Sequence, residues 1–454
     1  MKILFVSLGC DKNLVDSEEM LGLLQKHGYT FTDDETEADV IVINTCCFIG
    51  DAKEESVNTI LELAEYRKAG SCKALIVTGC MAQRYKQEIL DEISEVDMVL
   101  GTTAYEKIVE AVDQALAGKR SVEEQPLSYL PQTDAGRVVT TGGHYAYLKI
   151  AEGCNKCCTY CIIPKLRGRY RSVPMERLVA EAETLAAQGV KELILVAQET
   201  TVYGVDLYGA KSLHVLLQKL CRISGLRWIR ILYCYPEEIY DELIETMRME
   251  EKICHYLDLP IQHASDEILR RMGRRTTQED LRAIIAKLRE RIPDIVLRTT
   301  LIAGFPGETQ EQHEELMGFI DEMEFDRLGV FPYSQEEDTV AASMPDQVAE
   351  ETKLTWQAEL MELQQEIAFD KAEDRTGSVV TAMVEGKVAD EDAYVARTYG
   401  DAPNVDGLLF IQTGEELHSG DFVRVHITGA AEYDLIGELE EQGLDGRIEN
   451  ESAE

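Results

Sequence analysis

The chain has 454 residues, 45% of them hydrophobic and 28% charged, enough for about three domains that each bury a core. Its 45 lysines and arginines stand against 84 acids, a net charge of −39. Such a surface repels phosphate, so broad nucleic-acid binding is disfavoured and a basic protein partner is favoured. No apolar run reaches the length of about 18 residues that a helical membrane span requires.

The opening MKILFVSLGCDKN carries no small-residue cleavage site and reads as a buried first strand, not a signal peptide. Twelve cysteines without an export signal imply a reducing, cytoplasmic setting and ligand duty in place of disulfides. Three strand-like runs each end in cysteine: ILFVSLGC at Cys10, VIVINTC at Cys46 and ALIVTGC at Cys80. A helical pattern at 16–28 lies between the first two, and a fourth run, DMVLGTT at 97–103, has no cysteine. Alternating strands and helices predict a parallel α/β domain over 1–120, and ligands collect at the carboxyl ends of such strands. The three cysteines, 36 and 34 residues apart in sequence, are therefore expected to converge.

A polar linker is expected over 121–142, followed by a second alternation over 143–345. Its strands are HYAYLKI, then 192–198, 228–235, 255–261, 294–302 and 327–333. Six strands with intervening helices predict an incomplete β/α barrel, two units short of the closed form. A connecting helix spans 346–375, with Trp356, Leu360, Leu363 and Ile367 on one stripe. Short alternating strands over 376–437 predict a small antiparallel β-barrel, and the acidic tail 438–454 is expected to be disordered.

At the end of the barrel's first strand stands GCNKCCTYC, four cysteines inside eight positions. Two registers are open: Cys154, Cys158 and Cys161, or Cys154, Cys157 and Cys161. No histidine stands two to five residues away, which leaves zinc or iron–sulfur as the candidates. Adjacent thiolates point in different directions, so three ligands and one spare is the economical reading. Three cysteines on a four-iron cluster leave one iron open to a substrate or cofactor.

The C-x3-C-x2-C register, with Tyr160 before the last cysteine, resembles the radical S-adenosylmethionine superfamily. That resemblance implies Cys154, Cys158 and Cys161 as ligands of a 4Fe-4S cluster whose open iron chelates S-adenosylmethionine. AQETT (197–201), LPIQHAS (259–265) and AGFPGET (303–309) are similar to the superfamily's cofactor loops, which implies Tyr160, Gln198, Glu199, Gly304 and Glu308 around S-adenosylmethionine. His263 reads as a packed polar residue, and no catalytic residue is assigned beyond the clusters. GCDKNLVDSE, NTCCFI and TGCMAQRY resemble the methylthiotransferases, which implies an auxiliary 4Fe-4S cluster on Cys10, Cys46 and Cys80. Cys47 stands where that family usually has glycine; it and Cys157 have no assigned role. The family's chemistry uses one S-adenosylmethionine to methylate a sulfur on the auxiliary cluster and a second to make the radical that opens the substrate carbon.

AQETTVYGVDLYG, LDLPIQHASDEILRRMGRR, FDRLGVFPYSQEEDT and, near the end, VDGLLFI with EYDLIGEL resemble the protein-modifying, RimO-type branch of the family. Its target is an aspartate β-carbon in small-subunit ribosomal protein twelve; the alternative is an adenosine of transfer RNA. The C-terminal barrel is similar to a TRAM domain, often an RNA binder, yet residues 376–437 hold eleven acids against Lys387, Arg397 and Arg424, a net of −8. That balance suits a basic protein and opposes direct RNA binding. A low-potential electron donor such as flavodoxin or ferredoxin is implied. The basic segment RGRYR at 167–171 has no assigned role.

Overall fold

The structure is a computed structural model and describes residues 1–70, 72–131 and 136–440. The expected acidic tail lies outside the described residues from 441 onward. Six parallel strands form the N-terminal sheet: Lys2–Ser7, Thr30–Phe31, Val40–Thr45, Ala74–Gly79, Met98–Leu100 and Ser121–Glu123. Lys2–Ser7, Val40–Thr45 and Ala74–Gly79 are neighbours, so the three strands that lead to cysteine lie side by side. VIVINT and ALIVTG are buried at every position because helices cover both faces of a parallel sheet. The segment expected to begin a linker starts with the strand Ser121–Glu123, which pairs with Met98–Leu100. The first helix, Asp11–Lys26, starts five residues before its predicted acidic start at Asp16. Gly9, at φ +87, turns the chain so sharply that Cys10 becomes the helix N-cap.

The central sheet runs Tyr145–Lys149, Glu192–Val196, Trp228–Ile231, Ile253–Asp258, Val296–Ala303 and Arg327–Pro332, all parallel and adjacent in chain order. This is the open six-stranded barrel. Leu193 and Leu195 face the helical layer, and Ile194 and Val196 pack in the lumen with Tyr145, Tyr147 and Tyr256. Val15 of the first helix joins that luminal cluster, so the N-terminal unit closes part of the open side.

Helix Glu350–Glu373 lies against the last strand, with Trp356 stacked 4.9 Å from His313. Trp356 and Leu360 are buried; Leu363 and Ile367 are only partly so. The buried stripe continues instead through Gln364, Ala368 and Ala372, four residues apart.

The C-terminal strands Val379–Lys387, Ala393–Thr398, Leu409–Gln412, Phe422–Ala431 and Asp434–Leu439 close a barrel. Four were legible as alternating runs. The fifth completes the barrel by pairing antiparallel to Phe422–Ala431 and parallel to Leu409–Gln412. This small barrel seats on the amino ends of the central strands. Trp228 meets Phe422 edge-on at 4.8 Å, and Tyr256 donates to Asp406 at 2.7 Å. Glu192, with no exposed surface, accepts from Arg230 and Arg397 at 2.7 Å each. Burial pushes the Glu192 carboxyl up, and the two guanidinium groups more than reverse this and hold it below the usual range.

Candidate functional site

The second cysteine cluster sits in a loop after the strand Tyr145–Lys149. Gly153, at φ +75, makes its entry turn: an added Cβ would lie 2.4 Å from the Arg169 carbonyl. The Cys154 N–H then donates to the Gly168 carbonyl at 3.1 Å, and the Cys161 N–H to Cys158 at 3.0 Å. Cys157 takes the left-handed conformation, φ 55, and is exposed, whereas Cys154 and Cys158 are buried and Cys161 is half-buried. Burial, with the neighbouring charges of Glu199 and Cys158, pushes the Cys154 thiol up to about 11, and burial also raises Cys161. These thiols therefore hold protons until a metal displaces them.

The loop is enclosed by aromatic and charged groups. The Tyr235 hydroxyl lies 3.8 Å from Cys158 Sγ, and the Arg274 guanidinium covers the Tyr235 ring at 4.3 Å. Glu199 Oε1 accepts from the Thr201 N–H at 3.1 Å, and Lys156 stands 3.7 Å from Oε2. Burial pushes the Glu199 carboxyl up to about 7. Glu199 Oε2 and Gln198 Oε1 are buried without a hydrogen-bond partner among the described residues. A buried amide oxygen without a hydrogen-bond partner, and a carboxylate oxygen near Cys154 met only by the Lys156 ammonium at 3.7 Å, fit a ligand that brings N–H donors, as the amino group of S-adenosylmethionine does.

Gly304 and Glu308 have a visible structural task. Glu308 Oε2 accepts from the Gly304 and Phe305 N–H groups at 2.7 and 2.9 Å, and a Cβ on Gly304 would meet Lys353 Cγ at 2.3 Å. The turn so formed carries Phe305 edge-on to Tyr160 at 6.5 Å. His263 is fully buried, and its Nδ1 accepts from the Ser265 N–H at 3.0 Å.

Cys10, Cys46 and Cys80 follow the three adjacent strands. Burial, with Cys80 and Cys10 nearby, pushes the Cys46 thiol up to about 12, and burial with Cys10 nearby raises Cys80. Cys46 lies against the Gly9 turn: a Cβ on Gly9 would be 2.9 Å from its Sγ. Cys47, fully buried, packs in the apolar layer with Ile43 and Ile60. Among the described residues no three histidine, cysteine or acidic side chains converge on a single-ion site. A four-iron cluster asks for something else, since each cysteine holds its own iron and the thiols stand around it.

Sequence reasoning missed the connection between the two triads. Arg167, only 2% exposed, donates to Asp16 at 2.6 Å, to Asn13 at 2.8 Å and to Glu152 at 3.3 Å. Lys149 pairs with the same two acids. Burial raises the Cys80 thiol, and Arg167 beside it pulls in the opposite direction. The signal was present in RGRYR, a basic run in so acidic a chain. A cleft of about 2250 Å³, lined by Lys191, Trp228, Tyr399 and Phe422, lies at the amino ends of the strands, away from this chemistry.

Residues 2–101 match the uncharacterized protein family UPF0004, residues 148–320 the radical SAM superfamily, and residues 376–439 the TRAM domain. The "Ribosomal protein uS12 methylthiotransferase RimO" of Lachnoclostridium phytofermentans is 63% identical over 97% of this chain and 100% of its own length. The chain belongs to the RimO methylthiotransferase family. The RimO protein of Pelotomaculum thermopropionicum is 52% identical, covering 96% of this chain and 99% of its own. RimO membership makes the chain a radical S-adenosylmethionine enzyme, with a 4Fe-4S cluster and that cofactor. The solved radical S-adenosylmethionine methyltransferase TsrM of Kitasatospora setae shares the fold: TM-score 0.55, 14% identity, 86% of this chain and 81% of that one. Among the described residues no helix is long and apolar enough to cross a membrane.

Proposed function

We propose that this chain inserts a methylthio group at the β-carbon of an aspartate in ribosomal protein uS12, in the cytoplasm, with electrons from a flavodoxin- or ferredoxin-type donor. The observation that carries the reading is Arg167. It lies in the loop after one thiol triad and reaches Asn13 and Asp16, three and six residues past Cys10. Cys154, Cys158 and Cys161 would hold one 4Fe-4S cluster and Cys10, Cys46 and Cys80 a second, with Cys47 and Cys157 outside both sets. When bound, the first cluster with S-adenosylmethionine supplies a hydrogen-abstracting radical, and the second presents the sulfur to be transferred.

The protein's own residues bind and enclose. Gln198 and Glu199 would accept from the cofactor's amino group through buried oxygens that have no hydrogen-bond partner among the described residues. Tyr160 and Phe305, edge-on to each other, would form an aromatic wall that keeps water from the cofactor. Gly304 and Glu308 hold that wall by shaping its turn.

The structure sharpens the charge argument for a protein substrate. Of the three basic residues in the C-terminal barrel, Arg397 is buried in the seam and Arg424 is paired with Glu440. An outer face with so little free positive charge does not hold a phosphate backbone. Anaerobic incubation with S-adenosylmethionine, reductant and sulfide, followed by mass spectrometry of uS12 and transfer RNA, tests this. A methylthio gain on uS12 is expected; a gain confined to transfer RNA would refute it.

A further inference from the structure

Two residues past Cys10, a lysine is buried at the seam of the two halves. Lys12 is 7% exposed; its Nζ lies 3.0 Å from Asp11 Oδ1 and 3.3 Å from the centre of the Tyr233 ring. The Tyr233 hydroxyl donates to the same Asp11 oxygen at 3.1 Å. Asp11 Oδ2 is buried and has no hydrogen-bond partner among the described residues. Tyr233 stands just past the strand Trp228–Ile231 in a left-handed conformation, φ 60, fixed by its N–H to Asp258 at 3.0 Å. A non-glycine residue held there stores strain of the kind that collects at ligand clamps.

We propose that Lys12 receives the carboxylate of the substrate aspartate and so sets the preference for acid over amide. This rests on the protein-substrate reading above. A carboxylate brought into a mouth on a chain of net charge −39 meets repulsion and loses its water, so a dedicated cation must face it.

Four other cations of the region are committed to more carboxylates. Lys149 and Arg167 share Asp16 and Glu152, Arg298 is held by Asp258 and Asp406, and Lys156 by Glu199, Glu237 and Glu238. Lys12 has three N–H donors, and one carboxylate oxygen is its only ion-pair partner among the described residues, with Tyr233 as its other neighbour. Beside it, Asp11 Oδ2 is an acceptor without a donor, suited to a substrate backbone N–H. One donor and one acceptor, on the residues that follow a sulfur-cluster cysteine, would read the aspartate and turn its β-carbon toward that cluster.

The test is the affinity of the cluster-loaded enzyme for two peptides of the uS12 loop, one with the target aspartate and one with asparagine there. The wild type is expected to prefer the aspartate peptide. Lys12→Gln and Lys12→Met should weaken it about 10- to 100-fold, the range of a charge-assisted hydrogen bond, and leave the asparagine peptide within about twofold. Lys12→Arg, which restores the charge, should recover most of the preference. Equal loss for both peptides, or an unchanged preference in Lys12→Gln, would overturn the assignment. Wild-type enzyme that binds neither peptide and modifies transfer RNA would defeat the protein-substrate reading itself.

Discussion

Replacing Arg167 with methionine keeps most of the buried volume and removes the charge that joins the two thiol-bearing halves. Three contacts are lost, to Asp16 at 2.6 Å, Asn13 at 2.8 Å and Glu152 at 3.3 Å. Breaking a buried ion pair costs about 3–5 kcal/mol, because the remaining charge stays buried without its partner. Lys149 still faces Asp16 and Glu152, which places this loss near the lower end, about 3 kcal/mol. Asn13 also loses an acceptor's partner, and Cys80 loses the positive group beside its sulfur. Anaerobic thermal unfolding should show the drop, and iron analysis should show preferential loss from the N-terminal triad. Arg167→Lys should recover only part, since one ammonium on a shorter reach does not reproduce a planar fork to three acceptors. A methionine variant within about 0.5 kcal/mol of wild type, with full iron, would refute the reasoning, because that is the effect of an ordinary surface change.

Further outcomes follow from the same geometry. Cys157→Ala, at an exposed and outward-turned position, should retain the spectrum of the radical cluster and cofactor cleavage; Cys158→Ala should abolish both, and electron paramagnetic resonance with deoxyadenosine release reads them. If the two variants behaved alike, the ligand assignment would fail. Acid should loosen the C-terminal barrel. Glu192 has a carboxyl held below its ordinary value of 4.5, so its contribution is present above that pH and is lost as pH falls through the depressed folded value. Limited proteolysis near residue 376, with pepsin in acid and thermolysin at neutral pH, reads this release, and Glu192→Gln, which leaves Arg230 and Arg397 without their anion, should expose the junction to thermolysin already at neutral pH.

Much of the architecture could be read from the residues because each central strand is a short apolar run with turn signals at both ends. The cysteine positions followed from strand ends, which is a local property. What escaped the sequence was either weak in pattern or long in range. SVE at 121–123 is too short and too polar to announce a strand. The strand Asp434–Leu439 is interrupted by Gly437, whose added Cβ would meet Val425 Cγ1 at 2.5 Å. Arg167, Lys149, Asp16 and Glu152 are ordinary surface-type residues in sequence; only folding makes them a buried cluster between two units. Lys12 was hidden likewise, since its importance lies in the ring of Tyr233, 221 positions further along.

The seat of the small β-barrel on the amino ends of the central strands has a kinetic meaning. With Trp228, Arg230 and Tyr256 packed or bonded against Phe422, Arg397's partner Glu192 and Asp406, the lumen has a floor. Cofactor, sulfur and peptide must then share the doorway at the opposite end, and whatever belongs deepest has to enter first. A peptide bound there would act as the stopper of that vessel, and the expected order has cofactor entering before the peptide and leaving after it.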